Sequence, residues 1–438
     1  MVRCSPEQRS GCAPPPKAPG VTPRRYLLAA FGDPGHAFPA IALGRALVTR
    51  GHEVCLQTWA RWAGHVEREG MAFSPAPEYE LWPDGAGLSP YAAAVRAAHD
   101  TVPLIDEFDP HAVVADILTV AGGLAAQMAD RPWATLVPHV LPTSEPGWPP
   151  YSVGARLPRT RPGSAAWSLA QPLLSRGQER GRRELNDARR RVGLPDLSHV
   201  HGGISGQLAI VATYPQLEYP RYERSPSVRV TGPLLWEQPY EEAAEPPPGD
   251  EPLVLVAPST SQDPDHRMLR AALEGLADEP VRVLATINRR KPAAPLPAPA
   301  NARIVDWISY ARSMPGCAAV ICHAGHGTVV RSLACGVPVI GCPAAGDQAE
   351  NAARLAWSGT GISLPRRLVT PRGVRLAVRK LLADPRYAER ARELSRWTKR
   401  YDGGREAAKG LELLGCSPER NRRSEELGGW DSNPQPSP

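Results

Sequence analysis

Between Ala319 and Asn351 the chain reads AVICHAGHGTVVRSLACGVPVIGCPAAGDQAEN, its densest run of residues able to handle a charged ligand. An apolar run ending at Cys322, too short for a helix, is followed by His323, Gly325, Gly327 and Thr328, and then by an apolar-periodic segment that stops at Gly336. This order predicts strand, glycine turn and helix. Such a turn lets backbone come close to a ligand, and the helix behind it aims free N–H groups and its positive dipole end at the same place, which suits a phosphate. A second short strand, Val337 to Cys342, delivers Asp347 and Gln348 just beyond its carboxyl end. An acid and an amide side by side suit a polyhydroxyl compound such as a sugar, since each can bond two neighbouring hydroxyls.

Three further places carry candidate chemistry. LVLVAPSTS reads as a strand ending in Ser259, Thr260 and Ser261, whose hydroxyls can bond a phosphate oxygen ahead of the following helix. His36 lies in the loop GDPGHAFP after the apolar strand YLLAAF, and Asp116 ends the apolar run HAVVAD. If both strands are parallel members of one sheet, a carboxylate at one end and an imidazole at the other can meet; the acid then fixes the tautomer and leaves the second nitrogen as a base. Asp116 reads equally well as the cap of the next helix, and a single histidine is more often structural than catalytic. Asp263-Pro264-Asp265 has the spacing of a metal-binding carboxylate pair but reads as the start of a helix, and His199 and His201 have no third ligand nearby. No metal is expected.

The elements that must position these residues are those of an α/β protein. With 438 residues and 42% apolar content the chain can bury two cores, so two domains are expected. A net charge of +6, from 51 basic and 45 acidic residues, is too mild to argue for a nucleic-acid partner. The eight cysteines form no CxxC pair, and several lie in apolar runs, which reads as buried thiols in a cytoplasmic protein. Residues 1–23 and 416–438 are proline-rich and polar, and read as disordered. No apolar run approaches membrane-spanning length, so a soluble protein without stable membrane insertion is expected. The opening βαβ pattern lacks both the GxGxxG fingerprint and the spaced acid of an NAD site. The acidic, proline-rich QPYEEAAEPPPGDEP reads as a linker, which divides the chain into residues 24–235, a linker at 236–251, and residues 252–415. From about Pro138 to Pro172 the chain shows little periodicity and reads as a long irregular insertion carrying Trp148, Tyr151 and Trp167, followed by a basic, helical run to Arg191. After Asp384 two helices are expected. The sequence sets no oligomeric state.

HAGHGT followed about twenty residues later by GDQAEN resembles the donor-binding signature of the UDP-glycosyltransferase superfamily, and most of all its bacterial branch, which decorates macrolides, enediynes and related natural products. The resemblance spans most of the chain from Arg25 to about Leu414 and is most specific over residues 304–351. It implies the GT-B fold, two facing Rossmann-like domains, each a mainly parallel sheet flanked by helices, with the last helix bracing the first domain. It implies an inverting transferase that moves a hexose or deoxyhexose from a UDP- or TDP-sugar to a hydroxyl of a small hydrophobic acceptor, with no metal or other cofactor. GHxxP at Gly35 to Pro39 resembles the acceptor-domain loop whose histidine is the catalytic base, so His36 and Asp116 become the expected catalytic pair. The donor would be held by Ser259 and Thr260 at the diphosphate, by Trp307 against the base, and by His323, Gly325, Gly327, Thr328, Asp347 and Gln348. Trp148, Tyr151 and Trp167 would line the acceptor pocket, although surface packing explains aromatics there equally well. The family often follows the tryptophan with proline and glutamine; this chain has Ser309 and Tyr310, which leaves uracil against thymine open. A non-catalytic helper, or a sugar-nucleotide epimerase or lipid glycosyltransferase of the same fold, is the alternative reading.

Overall fold

Successive residues of each central strand bury opposite faces, so each sheet needs a layer of helices on both sides. In the first strand Tyr26 and Leu28 enter one core while Leu27 enters another. In the first strand of the second half, Leu253, Leu255 and Ala257 face one core and Val254 and Val256 the other. The computed structural model describes residues 22–77, 90–198, 203–221, 225–239, 244–259, 263, 265–344 and 346–414. Thr260, His199 and His201 lie outside the described residues.

The first half runs β1 (Arg25–Ala29), α1 (Pro34–Thr49), β2 (Glu53–Thr58), α2 (Ala63–Arg68), β3 (Ala72–Pro75), α3 (Pro90–Phe108), β4 (Ala112–Asp116), α4 (Val120–Met128), β5 (Trp133–Val137), α5 (Arg161–Arg191), β6 (Ala209–Val211) and β7 (Val228–Val230). Among the described residues its strands form one seven-stranded sheet in the order β3-β2-β1-β4-β5-β6-β7. β1 and β4 are parallel neighbours, pairing Ala29 with Ala115. The second half runs β8 (Leu253–Ala257), α6 (Arg267–Leu276), β9 (Arg282–Thr286), β10 (Ala302–Val305), α7 (Tyr310–Ser313), β11 (Ala319–Cys322), α8 (His326–Ala334), β12 (Val339–Gly341), α9 (Gln348–Ser358), β13 (Gly361–Ser363), α10 (Pro371–Ala383), α11 (Pro385–Arg400) and α12 (Gly403–Leu414). Among the described residues its strands form a six-stranded parallel sheet in the order β10-β9-β8-β11-β12-β13. Both orders turn back at the first strand of their half, the switch point at which open α/β sheets leave a crevice.

Local signals account for several boundaries. α1 begins with Pro34 in its first turn, where a missing N–H costs nothing, and ends before Gly51 at φ 90°. α9 stops at Gly359, which adopts a left-handed conformation. α12 returns to the first half: Ala407, Ala408 and Leu411 share a core with Ile41 and Leu43, and Glu412 pairs with Arg50 at 2.6 Å. Burying one such leucine contributes roughly 2 kcal/mol.

Two expectations change. The irregular insertion ends earlier than Pro172: Thr160 caps Gly163, Pro162 fits the first turn, and α5 is already helical at Arg161, so Trp167 stands on a helix. SVRVTGPLLW, from Ser227 to Trp236, reads as one strand in the sequence, but the strand is only Val228–Val230; Trp236 buries its ring in the core beside α1 and donates its indole N–H to Glu69.

Candidate active site

β1 and β4 lie side by side, so the loop after one and the last residue of the other reach the same edge. His36, in the first turn of α1, and Asp116, the last residue of β4, meet there with Nδ1 to Oδ1 at 2.8 Å. Asp116 is 2% exposed, and its other oxygen accepts from the Leu118 backbone N–H at 3.2 Å, so its base-like and local turn-stabilising contacts coexist. A buried carboxylate holds its partner's proton on Nδ1, which leaves Nε2 of His36 as the lone-pair nitrogen. That nitrogen makes no hydrogen bond among the described residues. Burial is the largest single influence on this ring and lowers its pKa, but the hydrogen bond and charge of Asp116, joined by Asp33 and Asp347, outweigh it and hold the pKa above the usual 6.5. Asp347 belongs to the other half of the chain, so the two sheet edges share one electrostatic environment.

His139, two residues beyond β5, stands at this edge too, its ring centre 6.5 Å from that of His36. Its Nδ1 lies 2.7 Å from the Val140 carbonyl and 3.3 Å from the Tyr151 hydroxyl. Sequence reasoning passed over it, although the rule that strand carboxyl ends gather ligands applies to β5 as it does to β4. Burial lowers its pKa, so the ring is neutral.

At the other edge, β11 ends at Cys322 and α8 starts at His326, with Gly325 as its N-cap residue. Among the described residues no side chain caps this helix, and no acid sits in its first turn. Its leading N–H groups are therefore open to an anion. Ala324 takes φ 62° inside the turn, and a Cβ added at Gly325 would stand 2.2 Å from Nε2 of His323. Only glycine lets the backbone pass the imidazole this closely. Burial lowers the pKa of His323, against the pull of the Ala257 backbone, Asp347 and Asp263. Gly327 is exposed and Thr328 half-buried, both in the first turn of α8.

Asp347 stands immediately before α9 without a side-chain cap bond to it, and its Oδ2 accepts from the Asn351 amide at 3.2 Å. Gln348 is buried, with its side-chain oxygen engaged by the Ala344 N–H at 2.9 Å. Asn351 also donates to the Ala324 carbonyl at 3.0 Å, which turns its oxygen toward Nδ1 of His326 at 3.4 Å. Nε2 of His326 faces the Ala212 carbonyl of the first half at 3.3 Å. A neutral imidazole has one N–H and cannot serve both oxygens; burial nevertheless pushes its pKa down to about 4. His326 and Asn351 lie inside the motif, but their role in bridging the two halves needed the fold to appear.

Other expected residues fall less simply. Ser259 is buried at the end of β8. The next helix, α6, has its N-terminus filled by Asp263, which accepts from the N–H groups of Arg267 and Met268, each at 3.1 Å; that end offers a phosphate a carboxylate, not free donors. Trp307 follows β10, and the Arg289 guanidinium lies 4.6 Å from its ring centre. Ser309 caps α7, while Tyr310 bonds Asn288 at 3.3 Å, so the two residues that depart from the familiar pattern serve the local fold. Trp148 is a correction: it is 5% exposed, with Tyr219 against its edge and Arg221 over its face at 5.1 Å, so it forms part of the scaffold and not a pocket wall. Tyr151 stands in the cleft beside His139. Trp167, half-buried on α5, makes no ring contact with the site among the described residues. The loop that carries Tyr151 approaches the second half of the chain closely: Gly154, at φ 75°, would place a Cβ 2.9 Å from that of Ala349 in α9.

No group of three or more His, Cys, Asp or Glu among the described residues is arranged to hold a metal, and no described helix is long and apolar enough to cross a membrane. The five cysteines in the described region are free.

Comparison with known proteins agrees with this geometry. Residues 270–410 match the family model "Erythromycin biosynthesis protein CIII-like, C-terminal domain". The chain is 29% identical over 407 residues to 4'-demethylrebeccamycin synthase of Lentzea aerocolonigenes, covering 84% of this chain and 94% of that one. It is 27% identical over 399 residues to a PGL/p-HBAD biosynthesis rhamnosyltransferase of Mycobacterium bovis, covering 87% and 86%. Among solved structures, the glycotransferase of kitacinnamycin superposes with TM-score 0.72 at 20% identity over 90% of this chain and 99% of that one. The calicheamicin glycosyltransferase CalG4 does so with TM-score 0.68 at 24% identity over 90% and 98%. Two parallel sheets with their carboxyl edges brought together are the GT-B fold, and the protein is a glycosyltransferase. The chain is thus similar, over most of its length, to bacterial glycosyltransferases of natural-product type.

Proposed function

We propose that the protein is an inverting transferase that moves a hexose or deoxyhexose from a UDP- or TDP-sugar to a hydroxyl of a small hydrophobic acceptor. The observation that carries this reading is the His36–Asp116 pair at 2.8 Å, with the remaining imidazole nitrogen unengaged at the edge that shares its field with Asp347. The acceptor O–H gives its proton to Nε2 of His36 as its oxygen attacks the anomeric carbon. The bond from that carbon to the diphosphate oxygen breaks, and the nucleoside diphosphate leaves with the electron pair. Asp116 stabilises the imidazolium that forms. Negative charge growing on the leaving group meets the uncapped end of α8, the backbone donors of the Gly325 turn and His323, a preorganised arrangement that supplies stabilisation without a metal. Asp347 and Gln348 hold sugar hydroxyls, and Trp307 offers a flat surface to the base. One displacement at the anomeric carbon inverts its configuration.

A fold retained only as a helper for another enzyme has no need of a buried, hydrogen-bonded acid behind an open imidazole, so the pair favours catalysis. The test is His36→Ala assayed by mass spectrometry with UDP-glucose or a TDP-deoxysugar and a panel of hydroxylated natural products, alongside nucleotide titration. Transfer is expected to vanish while nucleotide affinity stays. Equal loss of both would reduce His36 to a folding role, and retained transfer would remove it from the chemistry.

A further inference from the structure

His139 is the second imidazole of the cleft, and its protonation state follows from its neighbours. Both oxygens near its Nδ1, the Val140 carbonyl at 2.7 Å and the Tyr151 hydroxyl at 3.3 Å, lie where a single N–H can serve them. The carbonyl can only accept, so the hydrogen resides on Nδ1 and the lone pair on Nε2. Nε2 makes no hydrogen bond among the described residues and is not sealed in the interior. His36 presents the same arrangement, with Nδ1–H on Asp116 and the lone pair on Nε2.

With His36 deprotonated, the cleft offers two lone-pair nitrogens on rings whose centres are 6.5 Å apart and nearly perpendicular. A hydroxyl has one hydrogen. Whichever hydroxyl donates to His36 cannot also donate to His139, so the second nitrogen requires a second donor close to the first. Two hydrogen bonds of ordinary length, roughly 2.8 Å each, joined through the short span of a vicinal diol, bridge rings at this separation. His36 and His139 both belong to the first half of the chain, and His139 touches Tyr151 of the same half, so the second donor is assigned to the acceptor, although Asp347 of the second half also lies within the field of His139.

We propose that His139 is a specificity-determining residue that accepts a hydrogen bond from a second hydroxyl adjacent to the reacting one, so that the acceptors of this enzyme are vicinal diols or catechol-like compounds. This rests on the reading of His36 as the base. A ring that served only packing would leave recognition of the second hydroxyl unaffected. A site that presents an unpaired acceptor instead discriminates against a ligand lacking the donor, because the lone pair is then desolvated without a partner.

The test is fluorescence titration of the full chain, saturated with UDP, with 2,3-dihydroxynaphthalene and with 2-naphthol, which differ by one hydroxyl. Wild-type protein is expected to bind the diol at least tenfold more tightly. His139→Phe should bring the ratio to within twofold while leaving 2-naphthol affinity unchanged, and His139→Gln, which keeps an acceptor oxygen, should restore part of the preference. Thermal melts of both variants report their folding, and the wild-type ratio alone decides the matter if His139→Phe does not fold. Equal wild-type binding of the two probes, saturable binding of neither, or equal loss of both in a folded His139→Phe overturns the proposal. Because binding is read without turnover, an active His36→Ala would sink the base assignment and leave the ratio intact, which separates the two failures.

Discussion

Two helices of the second half start beyond neighbouring parallel strands, α6 after β8 and α8 after β11, and they end up with opposite electrostatics. The first turn of α6 is closed by its own acid, since Asp263 takes the N–H groups of Arg267 and Met268. α8 has no side-chain cap among the described residues and no acid in its first turn. A helix terminus with open donors attracts an anion, and one already holding a carboxylate repels it. From the same topology, one terminus is closed by its own carboxylate and the other keeps its donors open. The contrast extends across the cleft: the edge of the first sheet works with side chains paired to one another, as His36 is with Asp116, whereas the edge of the second works with backbone. Proton transfer needs a group that titrates; holding a diphosphate needs donors that do not.

This division can be broken experimentally. The largest effect is expected from the titrating edge: His36→Ala should lower transfer by roughly two to four orders of magnitude with nucleotide affinity unchanged, as measured by initial rates and calorimetry. Asp116→Asn should lower kcat/KM by roughly two orders and shift its acidic limb. His36 must be neutral to accept a proton, and its raised pKa places the limb above 6.5 in the wild type. Without the acid, burial dominates and lowers that pKa, so the limb moves to lower pH. A limb that stays in place would show that another group is titrating.

The backbone edge should respond in binding and not in pH profile. Gly325→Ala forces a methyl toward His323, an overpacking that costs about 1–3 kcal/mol and corresponds to a roughly tenfold to hundredfold weaker nucleotide Kd. The pH limb should not move, and wild-type nucleotide affinity in this variant would remove the α8 turn from the donor site. The smallest effect belongs to α6. Asp263→Ala should cost about 1 kcal/mol of stability as a lost cap, read as a Tm lower by a few degrees, with no change in nucleotide binding. Tighter nucleotide binding would instead reveal α6 as an anion site that its own acid had blocked.

Much of this was legible before the fold was seen. The strand, turn and helix around Gly325 follow from an apolar run, two glycines and a 3.6-residue period, all local signals, and the GT-B architecture followed from resemblance carried by the same residues. The start of α5 was also written locally, in Thr160 and Pro162, and was missed because the dense prolines and tryptophans before it drew attention to irregularity. Trp148 shows the opposite limit. Its type suits a pocket wall or a scaffold equally, and only the placement of Tyr219 and Arg221, some seventy positions later in the chain, settled which.

By itself the chain specified which residue types stand at the carboxyl ends of which strands, because strand periodicity and turn chemistry act over a few neighbours. What the tertiary structure decided is which of those ends meet. His36 and Asp116 are eighty positions apart, His139 reaches them only because β5 pairs with β4, and Asp347 joins their field from the second sheet. Sheet pairing and the docking of the two halves depend on contacts distant in sequence, and the protonation state of each imidazole depends in turn on which oxygens those contacts bring beside it.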